Sequence, residues 1–242
     1  MKKSFSRGQK TALVFLIAVM ALCAAYLLSV FVIQPAADSS DTQALKNILD
    51  ASPSSQQSHS ASGRQASSTS SVPSLAEQFQ ALQKINPDIK GWIAVPGTRI
   101  DYPVLQSSKD TPDYYLTHTY KKEKRQSGSI YLQYDCSPGV SRNAVVYGHH
   151  MLNGSMFTTL EQYDDYTFFQ SHKTFNYKST AGSSTYEIFA ILETTPSQFA
   201  FNRATFASDA DFLQFLKDIQ AKSLYQTGVS VTARDRIMTL AT

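Results

Sequence analysis

Thr11 to Ile33 is an uncharged run of 23 residues rich in Leu, Val, Ala and Phe. No other feature constrains this chain as tightly, because about 20 apolar residues in a helix cross a bilayer's hydrocarbon core. The run reads as a transmembrane helix. Lys2, Lys3, Arg7 and Lys10 precede it with no acidic residue among them. The positive-inside tendency therefore keeps segment 1–10 in the cytoplasm and sends everything after Ile33 outside the cell membrane. A cleaved signal peptide is the competing reading, with Ala36-Ala37 as the small residues at a cleavage point, but the run exceeds an h-region of about 7–15 residues. Both readings place the remainder outside.

The formal charge of +3 suggests nucleic acid only until it is divided by region. From Leu75 onward, 16 Lys and Arg stand against 16 Asp and Glu. A nucleic-acid footprint needs a basic domain or stripe, so no nucleic-acid partner is expected. Of the two cysteines, Cys23 lies inside the apolar run, and the preceding Met20-Ala21-Leu22 lacks the small residue of a lipidation site. A Cys23–Cys136 disulfide would have to join the membrane to the external part, so the latter must be held by its own core.

Segment 34–73 reads as a Ser-rich linker. Ala51 to Ser71 is nearly half serine without a large apolar residue, too little to offset the entropy of ordering. Gln43 to Asp50 could add a turn or two of helix, too short to stand alone in water. Order resumes in a domain at 74–242. Ser74 and Glu77 have capping-box spacing, Leu75, Phe79 and Leu82 share a helical face, and Pro87 marks the end. Runs rich in Val, Ile, Tyr and Phe follow at Gly91–Val95, Ile100–Leu105, Gly128–Tyr134, Ala144–Tyr147, Thr185–Leu192 and Val229–Leu240, separated by turn residues. A second helix is expected from Ser208, with Phe212, Phe215, Leu216 and Ile219 as its apolar stripe, and a shorter one near Ser155–Tyr163. The fold class is mostly β with peripheral helices, a closed or nearly closed barrel.

Asn143 to Met156 reads NAVVYGHHMLNGSM, an apolar strand that delivers His149 and His150 to its end. A histidine held there by a barrel yet open to substrate, with an ordinary pKa near 6.5, suits proton transfer. A pair of plain surface histidines is the alternative. Adjacent side chains on an extended strand point to opposite faces, so the two are poor joint ligands, and no metal or other cofactor is expected. His59, His118 and His172 carry no catalytic pattern, and Trp92 reads as a core anchor with substrate contact as the alternative.

Four separated stretches occur in the order found in class B sortases. They are Asn86-Pro87-Asp88-Ile89-Lys90-Gly91-Trp92 leading into Ile100-Asp101-Tyr102-Pro103-Val104; Gly128-Ser129-Ile130-Tyr131; Tyr147-Gly148-His149-His150-Met151 with Ser155-Met156-Phe157; and Thr239-Leu240-Ala241-Thr242. The chain resembles that family of Gram-positive cell-surface cysteine transpeptidases over nearly all of the region after the linker. The resemblance implies a sortase-type β-barrel, His149 as the catalytic histidine, and Leu240 and Thr242 beside the substrate. It implies as partners secreted proteins bearing a C-terminal sorting signal and a peptidoglycan precursor amine.

In that family a thiolate attacks the carbonyl of a threonine in the signal, the histidine protonates the leaving amine, and an amine of the wall resolves the thioester. The family's last motif is Thr-Leu-x-Thr-Cys, matched here through Thr242. The expectation is therefore of a sequence cut before its nucleophile and its oxyanion-stabilising arginine, with the 242 residues themselves inactive. Cys136 lies away from the nucleophile's position, and Arg234 and Arg236 precede the last motif rather than follow it. The alternative is a non-catalytic, membrane-anchored protein that binds sorting signals.

Overall fold

The computed structural model describes residues 7–50 and 73–242. The tether at 51–71 and His59 lie outside the described residues, apart from which the chain divides into two compact units, Met1–Ala44 and Leu45–Thr242.

In the first unit, α1 (Arg7–Leu28) is followed by a π turn at Ser29–Ile33, which the Gln34 N–H closes on Ser29 O. Leu13, Val14, Phe15 and Leu16 are all exposed on α1, and the window Thr11–Leu28 has a mean hydropathy of 2.6. By length and composition it is apolar enough to cross a membrane. Beyond the π turn runs α2 (Gln34–Leu49). The expected linker thus opens with a helix that starts at Gln34 rather than Gln43.

In the second unit, Leu45 and Leu49 from the end of α2 are 1% and 3% exposed, packed with Phe79 and Leu82. This corrects the expectation that ordered structure resumes only at Ser74. Leu45, Ile48 and Leu49 have helical i, i+3, i+4 spacing, and they find an apolar partner that the segment lacks in isolation. Lys46 adds an ion pair with Asp101. α3 (Leu75–Ile85) begins on the expected capping box: Ser74 Oγ accepts from Glu77 N–H at 3.3 Å, and Glu77 Oε2 accepts from Ser74 N–H at 2.7 Å.

The strands are β1 (Ile89–Ala94), β2 (Asp101–Gln106), β3 (Ile130–Leu132), β4 (Asn143–Tyr147), β5 (Thr174–Ser179), β6 (Gly182–Glu187) and β7 (Ile237–Ala241). They form one seven-stranded sheet in the order β6-β5-β1-β2-β3-β4-β7. It rolls into a nearly closed barrel. β2 with β3 and β4 with β7 are parallel, the other pairs antiparallel. A cavity of about 870 Å³ runs along the open side, lined by the stretch after β6 and by β7, including Ile188, Leu240 and Thr242.

Alternation along the strands divides the core. Ile93 and Val104 face the barrel interior with Ile130, Val145 and Phe157. Trp92 and Leu105 face α3. Ile89 shares Trp92's side although it lies three residues earlier, because a bulge shifts the register between Ile89 and Gly91. A short helix α4 (Tyr166–Ser171) follows a 3₁₀ segment at Thr158–Asp164, later than the helix expected at Ser155–Tyr163. α5 (Asp209–Lys222) starts on Ser208 and buries Phe212, Phe215, Leu216 and Ile219 against Ile237, as its pattern predicts.

Candidate functional site

β4 carries the candidate histidines. Asn143 to Val146 are all buried, covered on both faces, and the strand ends at Gly148. A Cβ on Gly148 would stand 2.3 Å from Ile130 Cδ1 and 2.8 Å from Phe157 Cγ, so a bare backbone is required at this crossing. His149 comes next, half-buried, and its carbonyl accepts from Phe157 N–H at 3.0 Å. The intervening loop is pinned by Thr158, whose Oγ1 accepts from Met151 N–H at 2.7 Å and donates to Met151 O at 2.9 Å.

The two rings diverge, as adjacent residues on an extended segment should. His149 Nε2 lies 2.7 Å from Leu116 O, whereas His150 Nε2 lies 2.7 Å from Glu161 Oε2 in an exposed pair. Neither partner is legible in the sequence. Leu116 contributes a main-chain carbonyl, which any residue would supply, and Glu161 sits in the 3₁₀ segment that precedes α4.

β7 lies parallel to β4 from Asn143↔Ile237 to Tyr147↔Ala241, and Gly148 N–H continues the ladder to Ala241 O at 3.0 Å. The register is locked by Asn143. Its Oδ1 accepts from Thr239 Oγ1 at 2.8 Å, while its Nδ2 donates to Phe201 O and Arg203 O. A fully satisfied buried amide of this kind tolerates no slip. Thr242 thus reaches the same end of the β4–β7 pair as His149. Leu240 is half-buried and Thr242 exposed, both on the cavity beside β7.

Cys136 is placed differently. It is 1% exposed within the barrel core, and its Sγ accepts from Val145 N–H at 3.5 Å. Burial pushes its thiol up to about 11, outweighing the Val145 N–H that favours the thiolate. That is the environment of an inert structural thiol rather than a nucleophile. Trp92 is a core residue, 2% exposed, with its Nε1–H on Asp101 Oδ1 at 2.6 Å. His118 stacks on Tyr114 and His172 on Phe168, both at 4.0 Å between ring centres. Arg234 and Arg236 are exposed in the turn before β7.

Comparison with known proteins gives the family and the fold. Residues 93–242 match the sortase domain family. Sortase B of Listeria monocytogenes is 40% identical over 180 residues, covering 74% of this chain and 72% of that protein. The crystal structure of sortase B from Bacillus anthracis in complex with AAEK1 superposes with a TM-score of 0.70 at 34% identity, covering 87% of this chain and 91% of that one. A Staphylococcus aureus sortase B–substrate complex gives a TM-score of 0.64 at 36% identity, covering 68% and 76%.

Proposed function

For a chain that belongs to the sortase family of cysteine transpeptidases, and within it to class B, we propose a membrane-anchored enzyme that cleaves a C-terminal sorting signal after threonine and transfers the protein to a peptidoglycan amine. The observation that carries the reading is the parallel register of β4 and β7. Tyr147 pairs with Ala241, so two steps further His149 stands level with the position that follows Thr242. A cysteine at that position, as the family motif has it, would meet an imidazole already held at the barrel's edge.

In this reading the thiolate attacks the threonine carbonyl carbon, and the C–N bond breaks as His149 gives its proton to the leaving amine. The incoming amine then loses a proton to His149 as it displaces the thiol from the thioester. Leu240 and Thr242 line the substrate's path beside the cavity. The S. aureus relative, solved as a substrate complex, lends support for a substrate-binding site in this fold. The apolar helix α1, with Arg7 and Lys10 at its start, supports an anchored enzyme whose N-terminus is cytoplasmic and whose barrel is extracellular.

The test is to read the gene through and beyond the codon for Thr242, express the protein it encodes, and assay thioester formation on peptides bearing candidate sorting motifs. Transfer that disappears in His149→Ala upholds the reading. Peptide binding without cleavage by the full encoded protein refutes it.

A further inference from the structure

We infer that the Asn86–Asp88 turn positions His149: through the Tyr115 hydroxyl it fixes the Leu116 carbonyl, and that carbonyl holds the imidazole with its proton on Nε2 and Nδ1 free. The inference rests on the reading of His149 as the acid–base residue. It concerns side chains 34 to 63 positions before His149 in sequence, none of them hydrogen-bonded to its ring.

A carbonyl oxygen accepts hydrogen bonds and cannot donate. The 2.7 Å contact from His149 Nε2 to Leu116 O therefore requires a proton on Nε2 in both the neutral and the charged ring. The nitrogen that changes protonation during the reaction is then Nδ1. Without the carbonyl the ring would rotate and exchange tautomers, and the nitrogen presented to substrate would not be fixed.

What fixes the carbonyl is not Leu116 itself, whose side chain is exposed at 37%. It is the preceding residue. Tyr115 is fully buried beside Phe79, Leu82 and Leu105. Its hydroxyl donates to Asp88 Oδ2 at 2.7 Å and accepts from Asn86 Nδ2 at 3.0 Å, and its carbonyl accepts from Ser129 N–H at 2.9 Å. Asn86 is 1% exposed; its Nδ2 also donates to Tyr120 O at 2.7 Å, and its Oδ1 accepts from Asp88 N–H at 2.9 Å. One buried amide thus ties down the chain on both sides of Leu116.

Gly128, with φ at +54°, closes the other wall: a Cβ there would lie 2.3 Å from Leu116 O and 2.6 Å from Tyr115 O. Burial favours the neutral acid at Asp88, but the hydrogen bonds from Tyr115 and Lys122 outweigh it and hold the carboxyl below its usual range. Burial, reinforced by Asp88, pushes the Tyr115 hydroxyl well above its ordinary value, so it remains a donor at neutral pH.

The experiment uses the full encoded chain in detergent micelles with ¹⁵N-labelled histidine. The native protein is expected to show a His149 Nε2–H protected from exchange with water. Tyr115→Phe keeps the buried ring and removes only the hydroxyl. It should speed that exchange about tenfold or more, the scale of one lost hydrogen bond, and lower kcat for peptide transfer by a similar factor with KM within about twofold. Asp88→Asn retains an acceptor for Tyr115 and should preserve the protected proton, whereas Asp88→Ala should behave like Tyr115→Phe. A lower melting temperature in Tyr115→Phe with His149 ring signals unchanged overturns the inference, as does a native ring protonated on Nδ1 instead. Activity that survives His149→Ala overturns the catalytic reading alone, since the ring signals do not depend on it.

Discussion

Cys136 offers the sharpest test of how burial governs chemistry in this barrel. Its thiol is 1% exposed, and burial pushes it up to about 11. An unfolded cysteine titrates near 8.5, so at pH 7.5 about one in ten is thiolate, against roughly one in 3,000 for the folded site. Ionisation alone should slow alkylation by about 300-fold, and restricted access slows it further.

The assay is iodoacetamide labelling of the folded and the urea-unfolded protein at pH 7.5, read by peptide mass spectrometry so that Cys23 is counted separately. The same shift has a stability consequence. A folded-state pKa raised above the unfolded one contributes stability that is fully present below about 8.5 and lost as pH climbs through about 11, up to about 3 kcal/mol in all. Folded labelling within tenfold of the unfolded rate would refute the burial argument. Loss of transfer in a well-folded Cys136→Ala would refute its assignment as a bystander.

Other outcomes follow from the same contacts. His150→Gln breaks only an exposed pair with Glu161, so melting should move by less than about 1 kcal/mol equivalent and peptide transfer should persist, separating the two histidines. Ser208→Ala removes the side chain that accepts from Asp211 N–H at the start of α5 and should cost about 1 kcal/mol, a few degrees by calorimetry. Trp92→Ala empties a buried site and removes the indole donor from Asp101, whose half-buried carboxylate keeps its pair with Lys46; about 3–5 kcal/mol should be lost in urea unfolding, nearly all of it from the emptied core site.

Local signals in the sequence were enough for the helices. Ser74 with Glu77, and Ser208 with the Phe212–Ile219 stripe, carry cap and period together, and both helices begin where those signals place them. Strands were harder. β5 carries little signal although Phe175 and Tyr177 alternate with Asn176 and Lys178, because a six-residue run with polar ends resembles a loop. The composition of Val229–Leu240 predicts one long strand, but within it pairing begins only at Ile237 and runs to Ala241, since pairing requires a partner and β4 offers five residues. The end of α2 looks like linker in the sequence because its apolar residues are few. They are ordered by Phe79 and Leu82, thirty or more residues on, which no local window contains.

The candidate site divides along the same line. The position of His149 at a strand end is legible because an apolar strand running into Gly-His announces an exposed terminus. Its surroundings are not, because they come from two long-range events. Parallel strands have no hairpin between them, so the β4–β7 register, which spans 94 positions from Asn143 to Ile237, cannot be derived from spacing. It is set instead by the single Thr239–Asn143 hydrogen bond and by alternation into the barrel. The Leu116 carbonyl is silent in sequence for a different reason: main-chain groups leave no residue signature. What does leave one is the side chain that holds the main chain in place, here Tyr115 with Asn86 and Asp88. In a site built from carbonyls, the residues to seek in sequence are the buried polar anchors one step behind the contact rather than the contact itself.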